Sequence, residues 1–212
     1  MLGINLQDIT FEQVKIGSIC EVWTRGSTYY KSSELVGPQE GAIVLGPSNI
    51  VDDQIDYSEV LYYSWEGYYR KPNLNLEDGD ILLAKYAAAG SPYKSAVIEH
   101  LPCPAISNPN VIMLKKIKCN GHYLQLLLSS EEFQAQLKAS QTNSTLPSLS
   151  ATNLQEMMIL LPPIEVQIQL EKHISKLRTA KKELVSLLSK EIEAREKEYA
   201  YYADAILWNK LN

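Results

Sequence analysis

Two short segments of the chain contain the side chains that most readily bind a metal ion. His100 and Cys103 are three residues apart, and Cys119 and His122 repeat that spacing in reverse order. Four such ligands could complete a tetrahedral zinc site. The order His-Cys followed by Cys-His is uncommon, however, and each pair falls where a turn at the end of a strand is expected. The sequence therefore favours ordinary turns over a zinc site.

Motifs for nucleotide, methyl-donor or acyl chemistry are absent from the sequence. The segment Gly41–Gly46 has the two glycines of a phosphate-binding loop, but Pro47-Ser48 follows where the phosphate-binding lysine should stand. Asn108-Pro109-Asn110-Val111 resembles the start of an adenine-methyltransferase loop, but it lacks the second proline and the aromatic residue. No strand leads into a G-x-G-x-x-G segment, and no G-x-S-x-G or acidic-x-Lys triplet occurs. These absences disfavour a single-chain enzyme.

The distribution of charge bears on the partner that this chain could bind. Residues 1–164 carry 11 basic and 17 acidic side chains, a net charge of −6, whereas residues 165–212 carry 9 basic and 8 acidic ones. A surface that binds DNA mainly through its phosphates normally has a basic excess. The charge balance alone therefore favours a coiled-coil adaptor whose globular domain binds protein.

Composition also indicates the cellular setting. The N-terminal residues lack the basic and apolar regions of a signal peptide, and no apolar run is long enough to span a membrane. Cys20, Cys103 and Cys119 are widely spaced, as is typical of reduced thiols in a cytosolic protein. We expect a cytoplasmic protein that does not contact a membrane.

Tyrosine is strongly over-represented, with 13 Tyr against 2 Phe. Its flat apolar ring and polar tip suit an adaptable contact surface. They also suit the half-buried face of a sheet, which is the interpretation that the numbers alone favour.

The chain changes character at Pro162-Pro163. Before this point, short apolar stretches alternate with turn-forming residues, which predicts strands and loops. The predicted strands are Val14–Glu21, Ala42–Leu45, Val60–Tyr63, Asp80–Ala84, Ala96–Ile98, Val111–Lys115 and Met157–Leu161. The predicted helical segments are Tyr123–Leu128, Glu131–Ala139 and a short turn at Ala151–Leu154. The second follows Ser129-Ser130, where a serine hydroxyl and the glutamate three residues later could cap each other's free backbone donors.

The segment after Pro163 is typical of one long helix. From Glu165 to Trp208 the sequence contains no Pro or Gly and is rich in Glu, Lys, Leu and Ala. Apolar side chains recur there at three- and four-residue steps. The two consecutive four-residue steps from Leu184 to Leu188 and on to Ile192 break a strict heptad, which predicts a local stutter. We call this set the apolar seam: Leu170, Ile174, Leu177, Leu184, Leu188, Ile192, Tyr199, Tyr202 and Ile206.

The apolar seam requires a partner surface. The 44 residues from Glu165 to Trp208 span roughly 65 Å at about 1.5 Å per residue, which is longer than the preceding domain can cover. We therefore predict pairing with the same helix of a second copy, and polar Lys181 and Arg195 in the seam would help to select register and orientation. The alternative is two shorter helices broken near Ser189.

Three stretches occur in the order found in one known family. The first is Val14-Lys15-Ile16-Gly17-Ser18-Ile19-Cys20 with Arg25-Gly26, and the second is Asp78-Gly79-Asp80-Ile81-Leu82-Leu83-Ala84-Lys85 with Gly90, Asn108 and the strand Val111–Leu114. The third is Tyr123-Leu124, Leu128-Ser129-Ser130, Phe133, Leu149-Ser150 and Leu154, followed by Ile159-Leu160-Leu161-Pro162-Pro163-Ile164-Glu165-Val166-Gln167. In this order, and with the long terminal helix, the chain resembles type I restriction–modification specificity subunits over nearly its whole length.

The resemblance implies an α+β fold. Residues 1–163 would form a target-recognition domain, β-rich with mixed or antiparallel sheets and short helices. Residues 164–212 would form the family's long conserved spacer helix, which pairs as an antiparallel coiled coil. Full subunits of the family carry two of each part, whereas this chain holds one of each.

The resemblance also implies a function and partners. The chain would be a non-catalytic, half-length specificity subunit that acts as a homodimer on double-stranded DNA with an inverted-repeat target. Methyltransferase subunits, which use S-adenosylmethionine, and restriction subunits, which use ATP and Mg²⁺, would dock on it. This chain would itself bind no cofactor.

The resemblance transfers no DNA contact to a numbered residue, because the recognition loops of the family vary. Side-chain chemistry instead selects cations, hydrogen-bond donors and flat aromatics in or beside polar loops. The predicted DNA contacts are Arg25, Ser27, Tyr30, Lys31, Tyr69, Arg70, Lys71, Lys85, Tyr86, Tyr93 and Lys94. For each basic residue, the alternative is an ordinary solvated surface charge.

Overall fold

The computed structural model describes residues 9–24, 32–70, 72–142 and 147–211 of the chain. The helices are α1 (Ile16–Ile19), α2 (Trp65–Arg70), α3 (Gly121–Ser129), α4 (Glu131–Ala139), α5 (Ala151–Glu156) and α6 (Ile164–Leu211). The strands are β1 (Glu12–Lys15), β2 (Glu21–Thr24), β3 (Leu35–Val36), β4 (Gly41–Leu45), β5 (Ile50–Val51), β6 (Gln54–Ile55), β7 (Leu61–Ser64), β8 (Asn75–Leu76), β9 (Ile81–Ala84), β10 (Ser95–Val97), β11 (Ala105–Ser107), β12 (Val111–Lys115) and β13 (Met158–Leu161).

Two sheets form the body of the first domain. In one sheet the strands lie in the order β10-β9-β12-β2, and every neighbouring pair is antiparallel. In the other the order is β3-β7-β4-β11-β8, and β4 and β11 run parallel while the other pairs are antiparallel. β1 pairs with β13, and β5 pairs with β6. The predicted α+β fold, with antiparallel and mixed sheets and a long C-terminal helix, is confirmed.

Alternate side chains of β9 enter two separate apolar clusters. Ile81 and Leu83 pack in a cluster that includes Leu124 of α3, whereas Leu82 enters a cluster that includes Ile43 of the five-stranded sheet. Side chains alternate between the two faces of a strand. The four-stranded sheet is therefore covered by helices on one face and by the second sheet on the other. Burial of both faces explains why β9 is a continuous apolar run in the sequence.

The predicted strand over Val14–Glu21 is wrong, because helix α1 interrupts it. The amide of Ile16 donates to the carbonyl of Met157 at 3.0 Å, and the amide of Cys20 donates to the carbonyl of Ile16 at 3.1 Å. This turn buries Ile16 and Ile19. Before this turn the chain pairs with β13 as β1, and after it the chain pairs with β12 as β2. The other six predicted strands are confirmed, and their ends shift by no more than one residue.

The predicted helices Tyr123–Leu128 and Glu131–Ala139 are confirmed as α3 and α4, and the turn at Ala151–Leu154 as the start of α5. The predicted mutual cap between a serine and a glutamate is wrong. Ser130 is the N-cap of α4, and its hydroxyl accepts a hydrogen bond from the amide of Phe133 at 3.3 Å. The third position of the helix therefore holds an apolar side chain rather than the glutamate that a mutual cap requires.

α6 is a single helix of 48 residues. The alternative of two helices broken near Ser189 is wrong, because the Ser189 hydroxyl donates to the carbonyl of Val185 at 2.9 Å within an uninterrupted helix. Internal contacts divide the chain into two compact units, and the boundary lies between Ile168 and Gln169. Across the described residues, no helix is long and apolar enough to cross a membrane.

A buried ion pair joins the two sheets. The Nζ of Lys115, in β12, lies 2.6 Å from Oδ2 of Asp80 and donates to the carbonyl of Asn75, in β8, at 2.7 Å. Asp80 also accepts a hydrogen bond from the amide of Glu77 at 3.0 Å. Burial raises the pKa of Asp80, although Lys115 acts in the opposite direction. Each charge thus compensates for the desolvation of the other, and together they hold β12 beside β8.

A buried amide side chain anchors the start of α6. Gln167 is 3% exposed; its Oε1 accepts from the amide of Asn120 at 2.9 Å, and its Nε2 donates to the carbonyl of Pro162 at 2.8 Å. Asn120 is the N-cap of α3. One side chain therefore links the first turns of α6 to the beginning of α3, within the same compact unit.

Removal of one charge of the Asp80–Lys115 pair should destabilise the fold strongly. Asp80→Asn or Lys115→Met leaves the other group buried without its partner, and we expect each to lower the free energy of unfolding by about 3–5 kcal/mol. The double variant should lose less than either single variant, because no uncompensated charge remains. Urea unfolding followed by circular dichroism measures all three. A double variant less stable than both singles would contradict this role.

Gln167→Ala should lower the free energy of unfolding by about 1–3 kcal/mol, because the amide of Asn120 then lacks its acceptor. Gln169→Ala is the matched control, since Gln169 is an exposed residue of the same helix; we expect it to change stability by less than about 0.5 kcal/mol. The same unfolding measurement applies. Equal effects of the two substitutions would show that Gln167 does not anchor α6.

Candidate nucleic-acid interface

The predicted DNA contacts fall into three groups in the structure. Arg25, Ser27, Tyr30, Lys31 and Lys71 lie outside the described residues. Tyr69 and Arg70 end α2, whereas Lys85, Tyr86, Tyr93 and Lys94 belong to the connection between β9 and β10. α2 and the β9–β10 connection are therefore the described parts of the candidate interface.

α2 carries three aromatic side chains that pack on one another, and we call Trp65, Tyr68 and Tyr69 the aromatic cluster. The rings of Trp65 and Tyr69 stack with centroids 6.2 Å apart, and Tyr68 meets them edge-on at 5.9 Å and 5.2 Å. Trp65 is 39% exposed and Tyr69 is 70% exposed. The aromatic cluster thus presents a preformed flat surface of the kind that contacts bases and sugars.

A glycine allows α2 to lie close to the strand before it. A Cβ at Gly67 would lie only 2.2 Å from the ring of Tyr63, which is buried in β7. The amide of Gly67 also donates to the Ser64 hydroxyl at 3.2 Å. Any larger side chain at this position would displace the Tyr63 ring or α2, so Gly67 permits the close approach that places the aromatic cluster on the five-stranded sheet.

Arg70 lies between two carboxylates. Its Nη1 is 2.7 Å from Oε1 of Glu34, and its Nη2 is 3.1 Å from Oε1 of Glu66. Glu34 also accepts a hydrogen bond from the Tyr63 hydroxyl. The hydrogen bond to Glu34 raises the pKa of Arg70 most, and the hydrogen bond to Glu66 raises it further. The guanidinium is therefore held charged and oriented at the end of α2.

The β9–β10 connection contains lysines but no acidic side chains. Residues 81–98 include no Asp or Glu. Lys94 is exposed and its Nζ donates to the carbonyl of Ile50 at 3.2 Å, whereas Lys85 and Tyr86 are half-buried. Among the described residues, no carboxylate forms an ion pair with Lys85 or Lys94. These two cations can contact phosphates.

Tyr93, which the sequence analysis predicted as a DNA contact, has a buried side chain in this fold. Its side chain is 2% exposed and packs in the apolar cluster beneath the four-stranded sheet. Its amide donates to Gln134, its carbonyl accepts from the same side chain, and its hydroxyl accepts from Gln141. Tyr93 thus links the segment before β10 to α4. Its ring packs in the core beside the sheet and is not part of an exposed contact surface.

The potential metal ligands and two of the three cysteine thiols can be placed in the part of the chain that the structure describes. There, no three His, Cys, Asp or Glu side chains lie close enough to hold a metal ion. His122 pairs through Nε2 with Glu99 at 3.1 Å. Burial raises the pKa of Cys20 to about 12 and that of Cys119 to about 11, so both thiols stay protonated.

The apolar seam of α6 is largely exposed in the single chain. Seven of its members are more than half exposed: Leu177, Leu184, Leu188, Ile192, Tyr199, Tyr202 and Ile206. Leu170 and Ile174 are half-buried. Val185, Leu187 and Tyr201, which the sequence pattern omitted, are exposed as well. Pairing through the seam stays a prediction, and these side chains define the surface that a partner helix would cover.

Sequence reasoning missed part of the candidate interface on α2. Trp65 and Tyr68 were not predicted as contacts, although Trp65, Tyr68 and Tyr69 are three and four residues apart, a spacing that places side chains on one face of a helix. The carboxylate partners of Arg70 were also missed. Glu66 could have been found from its four-residue spacing to Arg70, whereas Glu34 is brought there only by the fold.

Comparison with known proteins assigns the family. The family described as type I restriction modification DNA specificity domain matches residues 8–194. The type I restriction enzyme MjaVIII specificity subunit of Methanocaldococcus jannaschii is 25% identical in an alignment 215 residues long. That alignment covers 95% of this chain and 49% of the relative. The chain thus spans about half the length of this curated relative.

Solved structures share the fold. A chain from a study of complex assembly and conformational transition in the type I R-M system matches with a TM-score of 0.63 at 18% identity, over 86% of this chain and 41% of that one. The HsdS subunit from Thermoanaerobacter tengcongensis matches with a TM-score of 0.58 at 18% identity, over 84% of this chain and 39% of that one. The type I S subunit from M. genitalium gives 0.55 at 12% identity, over 87% and 43%. Because the family match extends over most of the sequence, this chain belongs to the type I restriction–modification specificity subunits, with one target-recognition domain.

Proposed function

We propose that this chain is the non-catalytic DNA-reading subunit of a type I restriction–modification enzyme, and that each copy recognises one half-site. The family match over residues 8–194 is the observation that carries the proposal. The candidate interface supports it, because α2 and the β9–β10 connection supply cations and aromatic surface suited to DNA.

Base contacts would carry the sequence specificity for DNA. Phosphate contacts position a protein on the duplex, whereas the edges of bases in the major groove specify sequence. In the recognition domain, carboxylates pair with Lys15, Lys115, Lys116 and Arg70. Cations that are paired in this way gain little from phosphates, which leaves Lys85 and Lys94 among the described residues to contact the backbone, and the net negative charge of the domain is compatible with a reader of base edges.

The proposal includes a homodimer formed through α6. A helix of 48 residues is about 72 Å long, and a partner helix in antiparallel orientation can cover the apolar seam along that length. Such a pair relates the two copies by a twofold axis. Two identical recognition domains then require an inverted-repeat target, with one half-site for each copy.

Catalysis would belong to partner subunits. Methyltransferase subunits would bring S-adenosylmethionine, and restriction subunits would bring ATP and Mg²⁺. This chain would bind double-stranded DNA and both kinds of subunit, and would hold none of these cofactors itself. Its contribution is to place the catalytic subunits at one DNA sequence.

Deletion of the gene should erase one methylated DNA motif from the genome, because the partner methyltransferase would lose the subunit that directs it. Genome-wide methylation sequencing compares the parent strain, the deletion strain, and the deletion strain with either an empty plasmid or the wild-type gene. We expect the motif to disappear on deletion and to return only with the gene. A set of methylated motifs that is the same in all strains would contradict the proposed function.

A further inference from the structure

We propose that Arg70 reads a guanine in the half-site, and that Glu34 and Glu66 form a carboxylate gate that keeps Arg70 from binding DNA phosphates at other sequences. This inference rests on the proposed DNA-reading function. It adds to that function one base contact and the residues that control it.

The two carboxylates hold Arg70 unequally. Glu34 ends the turn Ser32–Glu34 before β3, its side chain is 16% exposed, and it accepts hydrogen bonds from both Arg70 and Tyr63. Glu66 lies one helical turn before Arg70, and its side chain is 87% exposed. Glu34 is therefore a fixed support, whereas Glu66 is a solvated partner that can be exchanged at little cost.

The carboxylate gate changes what Arg70 attracts. Among the described residues, Glu34 and Glu66 are the carboxylates that pair with Arg70, so a phosphate that approaches Arg70 must displace an anionic partner and is repelled by both glutamates. A guanine edge is neutral and does not meet this repulsion. Lys85 and Lys94 have no such carboxylate among the described residues, so they rather than Arg70 supply contacts to phosphates of any sequence.

Guanine offers two acceptors that can take the place of Glu66 on the guanidinium of Arg70. Its O6 and N7 lie side by side in the major groove, and a planar guanidinium can donate to both at once. Arginine has five donor hydrogens, so Arg70 can keep its bond to Glu34 while it exchanges Glu66 for guanine. Glu34 then acts as the positioning residue and Arg70 as the reader.

The aromatic cluster lies next to this arginine in α2, and the Arg70 side chain is 50% exposed. Tyr69 precedes Arg70 in α2 and is 70% exposed, and its ring is held by stacking on Trp65. Mutual packing of the three rings restrains α2 without covering its outer surface. A duplex that contacts Arg70 would therefore also meet flat apolar groups suited to sugars and to the thymine methyl.

The test uses this chain assembled with its methyltransferase subunits. Affinity is measured at low and high salt for a duplex with the methylated motif and for a duplex of unrelated sequence. Arg70→Ala should weaken motif binding by about tenfold or more and unrelated binding by less than about twofold, and the methylated motif should relax at one G·C position. Arg70→Lys should not restore specificity, because an ammonium lacks the planar fork.

Glu66→Gln should raise affinity for unrelated DNA by about threefold or more, since an obstacle to phosphate contact is removed.

Glu156→Gln is the matched control, because it removes a carboxylate from another exposed ion pair of the same domain, that with Lys15 at 2.6 Å. It should leave the ratio of the two affinities unchanged, and an increase equal to that of Glu66→Gln would overturn the gate. If Arg70→Ala weakens both duplexes equally, or if the motif does not relax at a G·C pair, the inference fails while the proposed function stands. A wild-type assembly that binds both duplexes equally would overturn the proposed function and this inference with it.

Discussion

The exposed apolar seam of α6 is the constraint on which the rest of this molecule depends. Local interactions alone hold the helix weakly, since i,i+4 pairs such as Glu191–Arg195 and Glu193–Lys197 contribute only about 0.3–0.5 kcal/mol each. Burial of one leucine or isoleucine contributes about 1.5–3 kcal/mol. Seven seam side chains are more than half exposed in the single chain. A partner helix would therefore stabilise α6 far more than its own surface charges do, and dimerisation would determine the form of the DNA target.

The stretches that mark the family have architectural roles. In Asp78-Gly79-Asp80, Gly79 adopts φ 91°, Asp78 accepts a hydrogen bond from the amide of Leu101 at 2.9 Å, and Asp80 pairs with buried Lys115. Gln167 anchors the first turns of α6. These residues hold the sheets and helices in place, whereas the candidate reading groups lie on α2 and on the β9–β10 connection. The separation lets contact residues change while the scaffold stays the same.

The parts of the fold that sequence could predict are those with a strong local pattern. α6 follows from its composition and its long periodic seam, and β12 from an apolar run over its first four residues. β3, β5, β6 and β8 have two residues each, too few to show a period, and they exist because of pairing in the folded chain. α1 was not predicted because the four-residue segment Ile16–Ile19 is too short to show a helical period, and its mixture of apolar and small residues also fits a strand.

The candidate site shows the same division. Side-chain chemistry alone was enough to select Arg70 and Tyr69, but Glu34 is 36 residues before Arg70 and reaches it only through the fold. Tyr93 has the same chemistry as Tyr69, yet one is buried and the other exposed. A single sequence does not contain that difference, because it depends on which side chains pack above each ring.

Sedimentation equilibrium of the purified chain tests the central claim most directly. Because two copies are expected to close the apolar seam, the wild-type chain should have twice its monomer mass of 23.9 kDa at micromolar concentration. Leu188→Asp combined with Ile192→Asp should return the monomer mass, and Lys190→Asp, on the same helix but outside the seam, should leave the dimer intact. A wild-type chain that remains at 23.9 kDa at every concentration would contradict the account.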